Sequence, residues 1–367
     1  MITKKINIIV LFVIFAFSSF LFSDTGTIQI ISSINDSVYT IDSKIASIDD
    51  DIKLSIVFNQ KLQNNIINYS PVENLSIVES GISNNDIVHW DEVGESSIKW
   101  YKIEEANGDY YSNTEPTWHW ENIPYKETEI VEWRNQFIVT ADVTPTVFKP
   151  VFCNGKITGT MRYKAVLNID GDTFSTPGKD SKYRGSISNK VHRISLKGNT
   201  DSKIINFALA MCNLPYIWGS ASFTGSKWDN HQAELFIGAD CADFAVAAYQ
   251  MAGYQLAYDS IKDRTKTKII AKQATHQNGN YLDAQNDVII VGENGIHPGD
   301  FVYWGKVHVG LYYEDKSDPE SSYRGKRDGI FNKFDLVIHT LYAEPKIESI
   351  SEIPDYGNLT IYQFKEN

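Results

Sequence analysis

The sequence predicts two unlike parts: an all-β, sandwich-like N-terminal domain and a C-terminal domain of the α+β class. Three observations point there. Residues 24–180 carry almost no helical periodicity. Two apolar runs, 204–212 and 241–254, have the character of buried helices. Beyond residue 300 the chain returns to short strand-like runs. A length of 367 residues suits two or three domains.

The elements follow in order. Residues 1–23 open with Lys4 and Lys5, continue with an apolar run over 8–17, and end in small and apolar residues up to Ser23. That is the layout of a secretory signal peptide. An uncleaved anchor is the alternative, because the run over 6–22 is nearly long enough to span a bilayer. No cysteine lies near the expected cut, so a lipid anchor is not expected. The chain is therefore expected in the cell envelope, secreted or periplasmic, with no stable membrane anchor after cleavage.

In 24–180, strand-like runs occur at 28–32, 52–58, 97–103, 128–133, 136–143 and 159–169. Turn signals such as Asn107-Gly108-Asp109 and Asp170-Gly171-Asp172 separate them. Short alternating runs between turns read as an antiparallel sandwich, here a β-rich accessory domain. Residues 181–201 are polar, rich in Gly and Ser and locally basic, which reads as a linker. Residues 202–367 form the second domain and are long enough to fold alone. In 241–254, Phe244, Ala247, Ala248 and Met251 fall at helical spacing and Gly253 supplies a stop. Runs at 301–304, 307–313, 336–342 and 359–364 complete the domain as an antiparallel meander.

Composition excludes several function classes. The formal charge is −12, and no basic patch stands out to neutralise phosphates, so no nucleic-acid partner is expected. Three cysteines are too few for a disulfide scaffold and lack zinc-site spacing. Cys153 and Cys212 are candidates for a bridge between the two domains in an oxidising compartment. His89, His119, His192, His231, His276 and His297 show no ligand spacing, and no metal or cofactor is expected. Trp118-His119-Trp120 is either β-core or a surface that stacks on sugar rings.

One constellation carries chemistry. Cys241 stands at the start of a helix, with Asp240 as its N-cap and Asp243 in the first turn. The helix dipole favours a thiolate there, and the Asp243 charge opposes it. A thiol also needs a base to become a nucleophile. His308 on one strand and His339 on another supply a base and a group to orient it. With an imidazolium at contact distance, the Cys241 pKa is expected below the ordinary thiol value.

The residues that carry this pattern also resemble a family. Pro215-Tyr216-Ile217-Trp218-Gly219, Asp240-Cys241, Gly299-Asp300-Phe301-Val302-Tyr303-Trp304, His308-Val309-Gly310-Leu311-Tyr312 and Ile338-His339 follow one another as in NlpC-type papain-fold cell-wall cysteine peptidases. The resemblance is confined to the C-terminal domain and implies a papain-like fold there. It implies a peptidase that cuts amide bonds in peptidoglycan stem peptides, with peptidoglycan peptides as its partner. Cys241 would be nucleophile, His308 base and His339 orienter, and Tyr216, Asp240 and Trp218 would line the substrate site. Tyr216 packing beside Trp218, and Asp240 as a pure helix cap, stay open as alternatives. The chain has Ala242-Asp243 where the family usually has Ser-Gly, and a charged insert, 315–332, separates the two histidines. A catalytically silent envelope-binding protein and a papain-fold acyl or amide transferase are the rival functions.

Overall fold

Strands dominate the described residues. The computed structural model describes residues 26–62, 65–76, 87–113, 120–224, 227–257, 267–305, 307–320, 326–354 and 358–364. The expected signal peptide, 1–23, lies outside the described residues, as do Trp118 and His119.

In the N-terminal half two sheets face each other. The first orders Gly26–Ile34, Ile52–Leu62, Asn65–Ser70 and Ile87–His89, with Val139–Thr140 pairing to Ile52–Leu62. The second is built around the long strand Lys156–Ile169. It pairs with Ser96–Glu105 on one side and Arg193–Lys197 on the other. Alternation along these strands buries Ile28, Ile30, Leu54 and Ile56 of the first sheet against Ile98, Trp100, Tyr163 and Leu167 of the second. The turn Asp170-Gly171, with φ of 50° and 97°, reverses the chain into strand Asp172–Ser175, and glycine adopts that φ without strain.

The segment expected to be a linker is woven into this architecture. Arg193–Lys197 is an interior strand, with Lys156–Ile169 on one edge and Lys44–Ser47 on the other. Ile187, Val191 and Ile194 are buried.

The C-terminal sheet orders Asn280–Leu282, Thr267–Gln277, Leu359–Phe364, Phe301–Trp304, His308–Glu314, Leu336–His339 and Lys346–Ser349, all antiparallel. The last strand therefore returns to the middle of the sheet instead of extending a meander. Two helices, α1 (Lys203–Ala210) and α2 (Cys241–Met251), pack on one face of it. They are the only α-helices among the described residues. Among the described residues strands make up 46% and helices 10%, which corrects the α+β, papain-like expectation to a β-rich fold; a papain-like domain needs more helices. The cause is compositional. The α1 and α2 runs hold six alanines between them. Stretches such as Thr267–Gln277 and Tyr216–Trp218 carry β-branched and aromatic residues and pair as strands.

The two halves share one core. Ile48, Val151 and Cys153 from the N-terminal half pack with Leu209, Met211, Cys212 and Phe244. Thr160 finishes α1: its N–H donates to Cys212 O at 2.9 Å and its Oγ1 to Ala210 O at 2.8 Å. Ala210 O is one of the carbonyls that a helix end leaves without a partner. Gly159 makes the approach feasible, because a Cβ there would stand 2.8 Å from Cys212 O.

A fragment beginning at Ser202 would lose all of these partners. Each fully buried apolar side chain contributes roughly 1.5–3 kcal/mol, against a total stability of about 5–15 kcal/mol. The fragment is expected to be insoluble or molten. A dispersed amide spectrum with cooperative unfolding would instead establish two independent folding units.

Candidate active site

The chain brings the Pro215–Gly219 stretch alongside the start of α2 by backbone bonds. Ile217 N donates to Ala239 O at 3.1 Å, and Ala239 N donates to Pro215 O at 3.2 Å. Gly238 fits because any side chain there would strike Ile217. Asp240 then locks the helix entry. Its Oδ1 accepts from the N–H groups of Ala242 at 3.0 Å and Asp243 at 2.8 Å, and its Oδ2 accepts from Gly219 N at 3.1 Å. Its own N–H donates to Ser220 Oγ at 2.9 Å. Asp240 is therefore a buried cap with both oxygens occupied, an arrangement worth about 1 kcal/mol to a helix. Burial, then the Asp243 carboxylate, push its carboxyl up to about 7 against the pull of those three N–H groups. Asp243 is fully buried as well, and its Oδ2 accepts from Ala233 N at 3.1 Å.

The cap leaves Cys241 as the first residue of α2, 7% exposed. Its sulfur lies against the backbone N–H of Val309, the residue after His308, and near the N–H groups of Ala242 and Cys241 itself. These donors favour the thiolate. Burial, then the Asp240 charge, outweigh them and push the thiol up to about 12. The expected depressed thiol pKa is thereby corrected: desolvation of the charged form exceeds what the helix start supplies.

His308 and His339 meet. His308 Nε2 lies 2.9 Å from His339 Nδ1, and both rings are buried. Gly310 permits this, since a Cβ at that position would stand 3.1 Å from His339 Cβ. Trp304 stacks on His308 with ring centroids 5.2 Å apart. Burial, then the neighbouring His339, drive the His308 pKa down to about 3. Burial also lowers His339, while Glu348 opposes that shift. At neutral pH both imidazoles are uncharged. His308 Nδ1 is buried and takes no hydrogen bond.

The chain of contacts does not stop at the residues expected from sequence. His339 Nε2 lies 3.1 Å from Glu348 Oε2, and Lys346 Nζ lies 2.7 Å from Glu348 Oε1. Desolvation opposes the Glu348 charge, but the hydrogen bonds from His339 and Lys346 exceed it and hold the carboxyl down to about 2. Glu348 sits in Lys346–Ser349, the strand next to His339. The only sequence signal was the charged-apolar-charged alternation Lys346-Ile347-Glu348 after the turn at Pro345.

The remaining expected residues divide. Tyr216 is fully buried, with Tyr342 5.4 Å and Tyr110 6.5 Å away between ring centroids. Trp218 is 46% exposed. Tyr110 comes from the N-terminal half, whose strand Tyr110–Ser112 pairs parallel with Tyr216–Trp218. Cys153 and Cys212 are both free thiols. A cavity of about 330 Å³ opens beside Trp304, lined also by His276, Tyr281, Lys333 and Asn358, but Cys241, His308 and His339 do not line it.

No family model, no curated protein and no solved structure matches this chain. The chemistry at Cys241 therefore rests on the residues themselves.

A neutral, buried thiol predicts slow alkylation. Iodoacetamide should modify Cys241 of the folded protein more slowly at pH 7 than it modifies a free cysteine. Because the folded thiol titrates above its ordinary value of about 8.5, the rate should still be climbing above pH 9. A pH–rate profile that levels off below pH 8 would contradict the burial argument.

Proposed function

We propose that this protein is a cysteine hydrolase that cleaves amide bonds in peptidoglycan stem peptides outside the cytoplasm, secreted or periplasmic. The observation that carries the reading is the His308–His339 pair on the strands that meet the Cys241 end of α2. Cys241 is the nucleophile and His308 the base. His339 holds the His308 ring from the side remote from its open Nδ1.

The neutral resting pair defines how the step runs. The sulfur attacks the amide carbonyl carbon as its proton passes to His308 Nδ1, so charge develops only as the bond forms. The Asp240 side chain occupies the N–H groups of Ala242 and Asp243 but not that of Cys241. The Cys241 N–H at the positive helix end is thus available to the developing oxyanion. His308 returns the proton to the leaving amine, and water then hydrolyses the thioester. Peptidoglycan as the substrate rests on the motif order alone.

One observation favours a second reading, a catalytically silent envelope-binding protein. The thiol and imidazole at rest are shifted away from the ion pair, to about 12 and about 3. Variants separate the two readings. Cys241→Ala should abolish release of peptides from purified peptidoglycan, followed by mass spectrometry, while leaving the fold intact. His308→Ala should cost more activity than His339→Ala, and His339→Gln should retain more than His339→Ala, because an amide can still hold the ring. Wild-type digestion by Cys241→Ala would remove the mechanism. No digestion by the unmodified protein would favour the silent reading.

A further inference from the structure

We infer that Glu348 is a positioning residue that sets the tautomers of both histidines and so leaves the lone pair of His308 on Nδ1. The inference rests on the proposed role of His308 as base, but its geometry stands apart from that role.

An ionised carboxylate only accepts hydrogen bonds. Glu348 is ionised, with Lys346 Nζ 2.7 Å from Oε1. At the 3.1 Å contact with Oε2, His339 Nε2 must therefore carry the proton. A neutral imidazole has one N–H and one bare nitrogen, so His339 Nδ1 is bare and accepts. At the 2.9 Å contact between the rings, His308 Nε2 must then be the donor. His308 Nδ1 is left bare, which is the buried nitrogen that takes no hydrogen bond. No other arrangement of neutral rings satisfies both contacts. A carboxylate two residues beyond Lys346 thereby fixes which nitrogen of His308 can receive a proton.

The choice matters chemically. The opposite tautomer would put a proton on His308 Nδ1 and point its lone pair at His339. The ring could then accept nothing from a thiol on the Nδ1 side. Without Glu348 the two tautomers of each ring would come closer in energy, and both would be populated.

Nitrogen-15 NMR of the histidine rings of the full-length protein tests this directly, because bare and protonated ring nitrogens resonate far apart. The expected wild-type pattern at neutral pH is a protonated Nε2 and bare Nδ1 on both His308 and His339. Glu348→Met keeps the side-chain volume and removes the acceptor, and should give mixed patterns on both rings. Glu348→Ala serves the same purpose if the Met variant does not fold. A proton on His308 Nδ1 in the wild type, or an unchanged pattern in the folded variant, would overturn the inference. Hydrolysis is not part of this readout. A protein that shows the expected pattern yet leaves peptidoglycan intact would retain the role of Glu348 in fixing the rings and lose only the proposed reaction.

Discussion

Helix α2 is buried on nearly every side, and the architecture follows from that. Cys241, Asp243 and the whole run from Phe244 to Tyr249 are buried. A helix that is apolar all round has no solvent face and must be enclosed. At eleven residues it would also be marginal in isolation. The C-terminal sheet covers one side through Phe301, Val309, Leu311 and Ile338. Helix α1 covers another, and α1 is in turn held by Val151, Cys153 and the Thr160 bonds from the N-terminal half. The residue that opens α2 is thus fixed by partners drawn from most of the chain.

The same enclosure governs the electrostatics. Burial displaces the groups around the start of α2 and the histidine pair toward their neutral forms: Asp240 and Cys241 upward, His308 and His339 downward. Glu348 departs from that pattern. It is less deeply buried, and its bonds to His339 and Lys346 exceed the desolvation cost. The site is a neutral thiol and two neutral imidazoles ending in one charge. Such an arrangement avoids holding a buried ion pair at rest, which costs more than the attraction returns unless the geometry is near ideal.

Much of this was legible in the sequence, and the misses have identifiable causes. The long N-terminal strands were visible because period-two alternation over ten or more residues is a strong pattern, as in Lys156–Ile169. The Asp240 cap was visible because capping is local chemistry within three residues. The pairing of His308 with His339 followed from assigning both to neighbouring strands. Arg193–Lys197 was missed because its membership of a sheet depends on two partners over thirty residues away in sequence, and its five residues are a short alternation inside a polar, locally basic stretch. The α+β expectation failed because motif order says which residues recur, while helix count depends on what the intervening residues prefer. Thr267–Gln277, with no helical stripe, became the strand that flanks the returning C-terminus. Glu348 was missed because a glutamate on a short amphipathic strand is ordinarily solvated, and nothing local reveals a buried imidazole beside it.

Fold and site consequently carry different weights in the functional reading. A β-rich architecture with two helices does not by itself favour any reaction, since one fold hosts many functions and one chemistry recurs on many folds. The requirements of thiol catalysis are more local: a sulfur at a helix start, a base with a free lone pair, and a group that holds the base. The first is fixed by Asp240 through three backbone bonds. For the second and third, in the roles proposed for His308 and His339, the structure offers two contacts of 2.9 and 3.1 Å between adjacent strands. Both anchors act on strand His308–Glu314, where Cys241 meets Val309 N–H and His339 packs on Gly310. A one-residue slip of that strand would turn His308 to the other face of the sheet and carry Val309 away from the sulfur. The register of one seven-residue strand therefore sets both the Val309 N–H beside the sulfur and the face that His308 occupies, and the inserted C-terminal strand, two places along the sheet, braces the hairpin that sets it.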